Sequence, residues 1–110
     1  MNEFDVEVAG VGEVNVLGMR VGVPSSRPYS VGARLVLLVR PEDLCLGDDG
    51  LAGSVTSVTF QGATTTVGAR LDVLDSLVSI SVGQGAADHL TIGDRVTVGI
   101  NGANAMCEAV

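Results

Sequence analysis

Residues 39–62 read "VRPEDLCLGDDGLAGSVTSVTFQG": one apolar strand halts at a proline, an acidic stretch turns the chain, and a valine-rich strand departs. How these pieces connect decides the fold. Just upstream, "ARLVLLVR" (33–40) has apolar residues at consecutive positions, the pattern of a central strand covered on both faces. Pro41 cannot donate to a sheet ladder, so that strand must end there, and Arg40 before it is steered into extended backbone. The fixed φ of Pro41 also suits the first position of a helical turn, where Glu42 and Asp43 would set negative charge against free amides. Downstream, Val55 and Val58 stand three apart while Val58 and Phe60 stand two apart. A bulge or strong bend reconciles both spacings with one core and places Phe60 in phase with the core valines.

Working outward, alternation with period two recurs along the chain, and no stretch carries the i, i+3, i+4, i+7 pattern of an amphipathic helix. Phe4, Val6 and Val8 alternate with Glu3, Asp5 and Glu7. Val14 and Val16 follow the glycine-rich corner at Gly10–Gly12, and Met19, Val21 and Val23 follow Gly18. Pro24-Ser25-Ser26-Arg27-Pro28 reads as a surface loop. Val67, Ala69 and Leu71 pair across Leu74-Asp75-Ser76 with Val78, Ile80 and Val82 as a hairpin. The segment 83–94 holds a short helical turn at Ala86 to Leu90 and then a turn at Gly93-Asp94, whose Asp side chain is expected to bond a following amide. After Val96, Val98 and Ile100, Asn101-Gly102 suits a type I′ turn into a last strand from Ala103 onward. The expectation is an all-β fold of about eight short strands, closed or partly closed into a small barrel because closure leaves few exposed edges.

Composition narrows the function. The chain has 110 residues, enough for one compact domain, and its 46% apolar content includes only three aromatics, Phe4, Tyr29 and Phe60. It has no lysine; six arginines face thirteen acids for a formal charge of −7. A P-loop, a Schiff-base centre, and biotin or lipoyl attachment each need a lysine, so none operates within this chain. An acidic chain whose one free aromatic would be Tyr29 is also a poor platform for nucleic acid, which needs stacking surfaces in a positive groove. No G-x-S-x-G motif occurs, and His89 stands alone beside Asp88 as a surface residue, so no catalytic or metal site is expected. Cys45 and Cys107 lack metal-ligand spacing and read as two buried, reduced thiols. The longest apolar run, Leu35 to Val39, is far short of the roughly 18 residues of a membrane span. No signal-peptide pattern opens the chain, which reads as cytosolic. A strand-like segment directly after Met1-Asn2 suits a piece of a longer protein.

Three ordered blocks carry a family resemblance: Val39-Arg40-Pro41-Glu42-Asp43-Leu44; Gly53-x-Val55 leading to Val58-x-Phe60-x-Gly62; and Leu90-x-x-Gly93-Asp94-x-Val96. Together they resemble the transport-associated OB (TOBE) domain at the C-terminus of ATP-binding subunits of ABC importers. "VAGVGEVNVLG" (8–18) is similar to the segment by which such subunits leave their ATPase domain, with Val11 standing where the family usually has an aromatic. The resemblance implies a single OB-fold-like regulatory domain over residues 1–110, with early strands 4–23 shared with a second OB-like half and the ATPase domain upstream, outside this chain. It implies no catalysis and no cofactor here, ATP and Mg belonging to the parent subunit. The implied partners are that ATPase domain, a second copy of the domain and, indirectly, the transporter's membrane subunits, with no nucleic acid and no membrane insertion.

On this reading Arg40, Glu42 and Asp43 are candidate contacts to a neighbouring domain or subunit, Arg40 having a planar fork able to grip a carboxylate. Related domains of molybdate systems suggest a different use: Gly62, Thr64 and Thr65 as contacts to a small oxyanion, against the plainer reading of solvent-facing strand threonines. Exposed strand edges and a Val-rich surface also lead to the expectation of dimers.

Overall fold

The computed structural model describes residues 1–24, 29–73, 75–83 and 85–109, so the expected loop at 25–28 lies outside the described residues. Among those described there are nine strands: β1 (Asn2–Gly10), β2 (Glu13–Val16), β3 (Met19–Gly22), β4 (Arg34–Val39), β5 (Leu44–Gln61), β6 (Thr64–Leu71), β7 (Leu77–Gly83), β8 (Arg95–Ile100) and β9 (Met106–Ala109). Two short 3-10 turns, Pro41–Asp43 and Gly102–Asn104, complete the regular structure. The strands form two antiparallel sheets, one in the order β3-β2-β1-β4-β9 and the other β7-β6-β5-β8. The Cα radius of gyration is 14.2 Å, against about 13 Å for a compact chain of this length, and the extents of 42 × 26 × 23 Å show an elongated shape.

Alternation translates directly into burial. Phe4, Val6 and Val8 of β1 point inward while Glu3, Asp5 and Glu7 stay exposed, and β6 buries Val67, Ala69 and Leu71 in the same way. Leu35, Leu37 and Val39 of β4 are buried and Val36 and Leu38 half-buried, as a strand between two neighbours requires. The buried apolar residues join one cluster whose most enclosed members include Leu37, Leu71, Ile80 and Val98. Between the sheets the buried Asn2 side chain acts as a surrogate strand. Its Nδ2 donates to the Ser79 carbonyl at 2.9 Å and its Oδ1 accepts from the Ser79 amide at 2.8 Å, tying the start of β1 to the edge strand β7.

The opening stretch folds into one long strand with two irregularities. β4 stops at Val39, Arg40 is extended (φ −70°, ψ 150°), and Pro41 begins the 3-10 turn. β5 then runs the full 18 residues from Leu44 to Gln61. Its first irregularity is the acidic segment Gly47–Gly50: Leu46 and Leu51 both sit opposite Val98, so the four residues between them loop outward while the ladder resumes beyond. Gly50 makes this possible, since at φ 142° a Cβ would collide with the Val98 carbonyl. The second is the expected bulge, a register shift between Val55 and Ser57.

Several expectations need correction. Phe60 is 68% exposed: it lies on the inward side, opposite buried Thr65, but only two residues from the Gly62-Ala63 turn, at the free end of the β5–β6 hairpin. Thr65 is accordingly buried rather than solvent-facing. Asn101-Gly102 forms no type I′ turn, because β8 and β9 belong to different sheets; Asn101 instead caps the 3-10 turn, its Oδ1 accepting from the Ala103 amide at 3.1 Å. Gly102 packs against β3 so closely that a Cβ would strike the Gly22 carbonyl, which closes the first sheet toward its β9 edge. Residues 85–90 form successive turns around buried Ala87 and no helix. Of the two free thiols, Cys45 is exposed and Cys107 half-buried, so neither matches the buried reading.

The Gly50 geometry predicts that Gly50→Ala is destabilising by roughly 1–3 kcal/mol in urea unfolding, whereas Gly47→Ala, with open space around its Cβ, stays within about 0.5 kcal/mol of the parent. Replacing Asn2 by Ala leaves the Ser79 amide and carbonyl without their partner, and about 1–3 kcal/mol is expected to be lost in the same assay.

Candidate functional site

The corner at Arg40–Asp43 is assembled by backbone. The Asp43 amide donates to the Arg40 carbonyl at 2.9 Å, the Leu44 amide closes on the Pro41 carbonyl, and the Asn101 amide donates to the Asp43 carbonyl at 2.8 Å. The turn rests against β7. Arg40 and Glu42 are exposed, with no ion pair to either among the described residues, while Asp43 is half-buried. The structure therefore presents Arg40 and Glu42 to solvent, and Asp43 contributes chiefly through its main chain.

The second candidate set lies on a different element. Gly62 turns the β5–β6 hairpin with φ 71°, the positive value anticipated there, and Thr64 follows, exposed, at the start of β6. Thr65 points to the opposite face and is only 3% exposed, so the three residues do not converge on one cavity mouth. The neighbouring Thr66 hydroxyl donates to Gln61 Oε1 at 2.7 Å, which is a strand-to-strand bond across the hairpin. The turn at Gly93-Asp94 has the expected positive φ at glycine, 95°. Its carboxylate reaches backward rather than forward: Asp94 Oδ2 accepts from the Thr91 amide at 3.0 Å and Oδ1 from the Thr91 hydroxyl at 3.2 Å. The Gly93 amide and Asp94 carbonyl bond in turn to Val55, which anchors this turn on the bulge of β5.

A polar corner that sequence reasoning missed lies beside it. Ser54 of β5 is directly opposite both Arg70 of β6 and Arg95 of β8, so the three side chains form one row across the outer face. Arg95 Nη1 donates to Ser54 Oγ and to Asp72 Oδ1, each at 2.9 Å, while its Nη2 pairs with Asp72 Oδ2. Hydrogen bonding from Arg95 holds the Asp72 carboxyl below its ordinary value, partly opposed by desolvation, and the same bond raises Arg95. A cleft of about 390 Å³ opens next to this row, lined among others by Thr56, Arg70 and Ile92. Twenty-three residues separate Asp72 from Arg95, and only the strand register brings them together.

A concavity of about 800 Å³ runs along β9. Val8, Val14 and Leu35 lie in it, the β1–β2 turn and Val23-Pro24 bound it opposite β9, and Tyr29 and Glu13 reach it as well. Burial raises the Cys107 thiol above its ordinary range there. Among the described residues no cluster of three or more His, Cys, Asp or Glu is placed to hold a metal, His89 is exposed, and no helix is long and apolar enough to cross a membrane.

Because the folded carboxyl of Asp72 titrates below its unfolded counterpart, the Arg95 pair adds stability above the ordinary value of 3.8, and this is lost as pH falls through the lower, folded value. The melting-temperature difference between the parent and Asp72→Asn should thus be largest near neutral pH, shrink below about pH 4, and shrink with added salt because both partners are exposed.

The sequence profile of the TOBE domain matches residues 37–107, from β4 through the long β5 to β9. The spermidine/putrescine import ATP-binding protein PotA of Methylococcus capsulatus (strain Bath) is 39% identical over 75 residues. That match takes in 64% of this chain but only 17% of PotA, so the chain corresponds to a small part of that relative's length. Among solved structures, the cytoplasmic molybdate-binding protein ModG, with molybdate bound, superposes with a TM-score of 0.80 over 99% of this chain and 96% of its own. At 18% identity this likeness speaks to the fold, an all-β arrangement of OB-like barrels. With the profile spanning most of the strands and all three sequence blocks, the chain belongs to the TOBE domain family.

Proposed function

We propose that the chain is the regulatory domain of an ABC importer's ATP-binding subunit, one that pairs with a second copy and biases the opening and closing of the attached ATPase domains in the cytoplasm. The observation that carries this reading is the continuity of the matched region: the corner after β4, the bent β5 and the turn anchored on Val55 all fall within residues 37–107, and the matched relative is an importer ATP-binding protein. In this role the chain makes and breaks no bonds. Arg40 and Glu42, exposed on a backbone-stitched corner, are the side chains proposed to meet the neighbouring domain, held in place by a turn that costs them no reorganisation. ATP and Mg act in the parent subunit, and the membrane subunits are reached only through it.

A second reading has its own support. The molybdate-bound neighbour is matched over nearly its whole length, which favours comparing this chain with a self-standing oxyanion-binding module. For that use the hairpin end offers the Gly62 backbone and the exposed Thr64, whereas buried Thr65 would have to act by supporting the turn.

Two measurements separate the readings. Thermal unfolding with molybdate, tungstate or sulfate should show no stabilisation if the first holds. A ligand present at 100 times its dissociation constant would instead add about 2.7 kcal/mol and establish the second. Sedimentation should show self-association as concentration rises, and a strict monomer at high concentration would count against pairing through this domain. If Arg40 lies at that junction, Arg40→Ala should leave the melting temperature of the isolated chain unchanged while weakening its binding to the ATPase domain by about 1 kcal/mol or more, measured by calorimetry.

A further inference from the structure

We propose that the open edge of β9 accepts an extended, basic segment of a partner protein as an added strand of the first sheet. β9 pairs with β4 on one side, and on the other no described strand adjoins it. A strand in that state presents unused amides and carbonyls, the template on which peptide strands are added. Here the template has a built receptacle. The groove of about 800 Å³ follows Met106–Ala109, with Val8, Val14 and Leu35 as an apolar floor and Val23-Pro24 as the opposite wall. Its size lies in the range of roughly 300–1,000 Å³ typical of binding clefts. A strand laid about 4.8 Å from β9 would send alternate side chains onto that floor and the others toward the outer face of the sheet.

The charge of that outer face selects the occupant. The strand register places Glu108 opposite Val36 and Val36 opposite Asp5, and likewise Met106 opposite Leu38 and Leu38 opposite Glu3. An added strand would therefore border an apolar stripe, Met106 with half-buried Leu38 and Val36, flanked by three exposed carboxylates. The basic residues of this face stand at its far end, Arg34 opposite Glu7 and Arg20 in the same row beyond Asn15. At the groove itself Glu13 is paired with Arg20 at 3.7 Å, which leaves Glu108 as the carboxylate of the rim without an ion pair among the described residues. Side chains alternating between apolar and Lys or Arg satisfy both floor and rim. A second copy fits worse: each chain carries a net −7, and joining two β9 edges would bring the Glu108 side of one copy to that of the other.

The test titrates the whole chain by amide NMR with a short peptide alternating Val with Lys or Arg, with a Val/Glu peptide and a backbone N-methylated version of the basic peptide as controls. Support would be shifts at Met106–Ala109, Val14 and Tyr29 with the basic peptide, binding weakened about fivefold or more in Glu108→Lys, and little binding of either control. Melting of Glu108→Lys checks that it folds. In the unmutated protein, bound peptide should also slow alkylation of Cys107 at least about fivefold while leaving exposed Cys45 unaffected. Equal binding of the acidic or N-methylated peptide, no binding at millimolar peptide, or Met106–Ala109 amides already protected by self-association would each overturn the proposal.

Discussion

The constraint on which the rest depends is that β5 must hydrogen-bond to β6 along one edge and to β8 along the other while the chain turns a corner within it. An uninterrupted 18-residue strand could not keep both ladders in register, since Leu46 and Leu51 share one partner, Val98, and the pairing with β6 shifts between Val55 and Ser57. The protein resolves this with one outward excursion and one bulge. Gly47–Gly50 leaves the ladder so that Leu46 and Leu51 can face the same Val98, and the shift at Val55–Ser57 restores inward Val55 and Val58 beyond it. The excursion needs backbone where a side chain does not fit, which is why Gly50 sits against the Val98 carbonyl.

The placement of polar groups follows from the same geometry. The turn at Gly93-Asp94 docks on the main chain of Val55, which fixes where β8 begins and so sets Arg95 opposite Ser54. Arg95 then spans to Asp72, just past the end of β6, and closes a corner that three strands share. Such an exposed pair adds little net stability in water, but its fork geometry favours one register over its neighbours. Asn2 plays the complementary role in a buried setting: a neutral carboxamide satisfies both polar groups of Ser79 without the desolvation penalty a charge would carry. Glu3, Asp5 and Glu7 are displayed on the outer face of β1, where water solvates them and where a partner of opposite charge can be recognised.

The division between what was legible and what was not falls along the line between local and long-range physics. The alternation in β1, β6 and β7, the stop at Pro41, the positive φ at Gly62 and Gly93 and the bulge after Val55 are each set by neighbours in the chain, through side-chain period, ring constraint or the lack of a Cβ. They were readable from residue order alone. The exposure of Phe60 was not, because its phase is that of the core and only its position at the free end of a hairpin removes the covering layer. The Asn101-Gly102 turn misled for a related reason: the dipeptide permits a type I′ hairpin, but β8 and β9 belong to separate sheets, so the chain must cross between them.

The candidate sites divide in the same manner. The exposure of Arg40 and Glu42 was readable in advance because Pro41 forces a corner and leaves these charges outside. The Arg95–Asp72–Ser54 row and the groove beside β9 could not, since each joins segments far apart in the chain whose meeting depends on two register shifts and on the closure of Gly102 over Gly22. Residue order thus specified strands, corners and the absence of lysine chemistry, all properties of short windows and of composition. Which edge stays open, which acids share a face and how deep the groove runs were decided by the packing of the two sheets, because those quantities are sums over contacts that no local window contains.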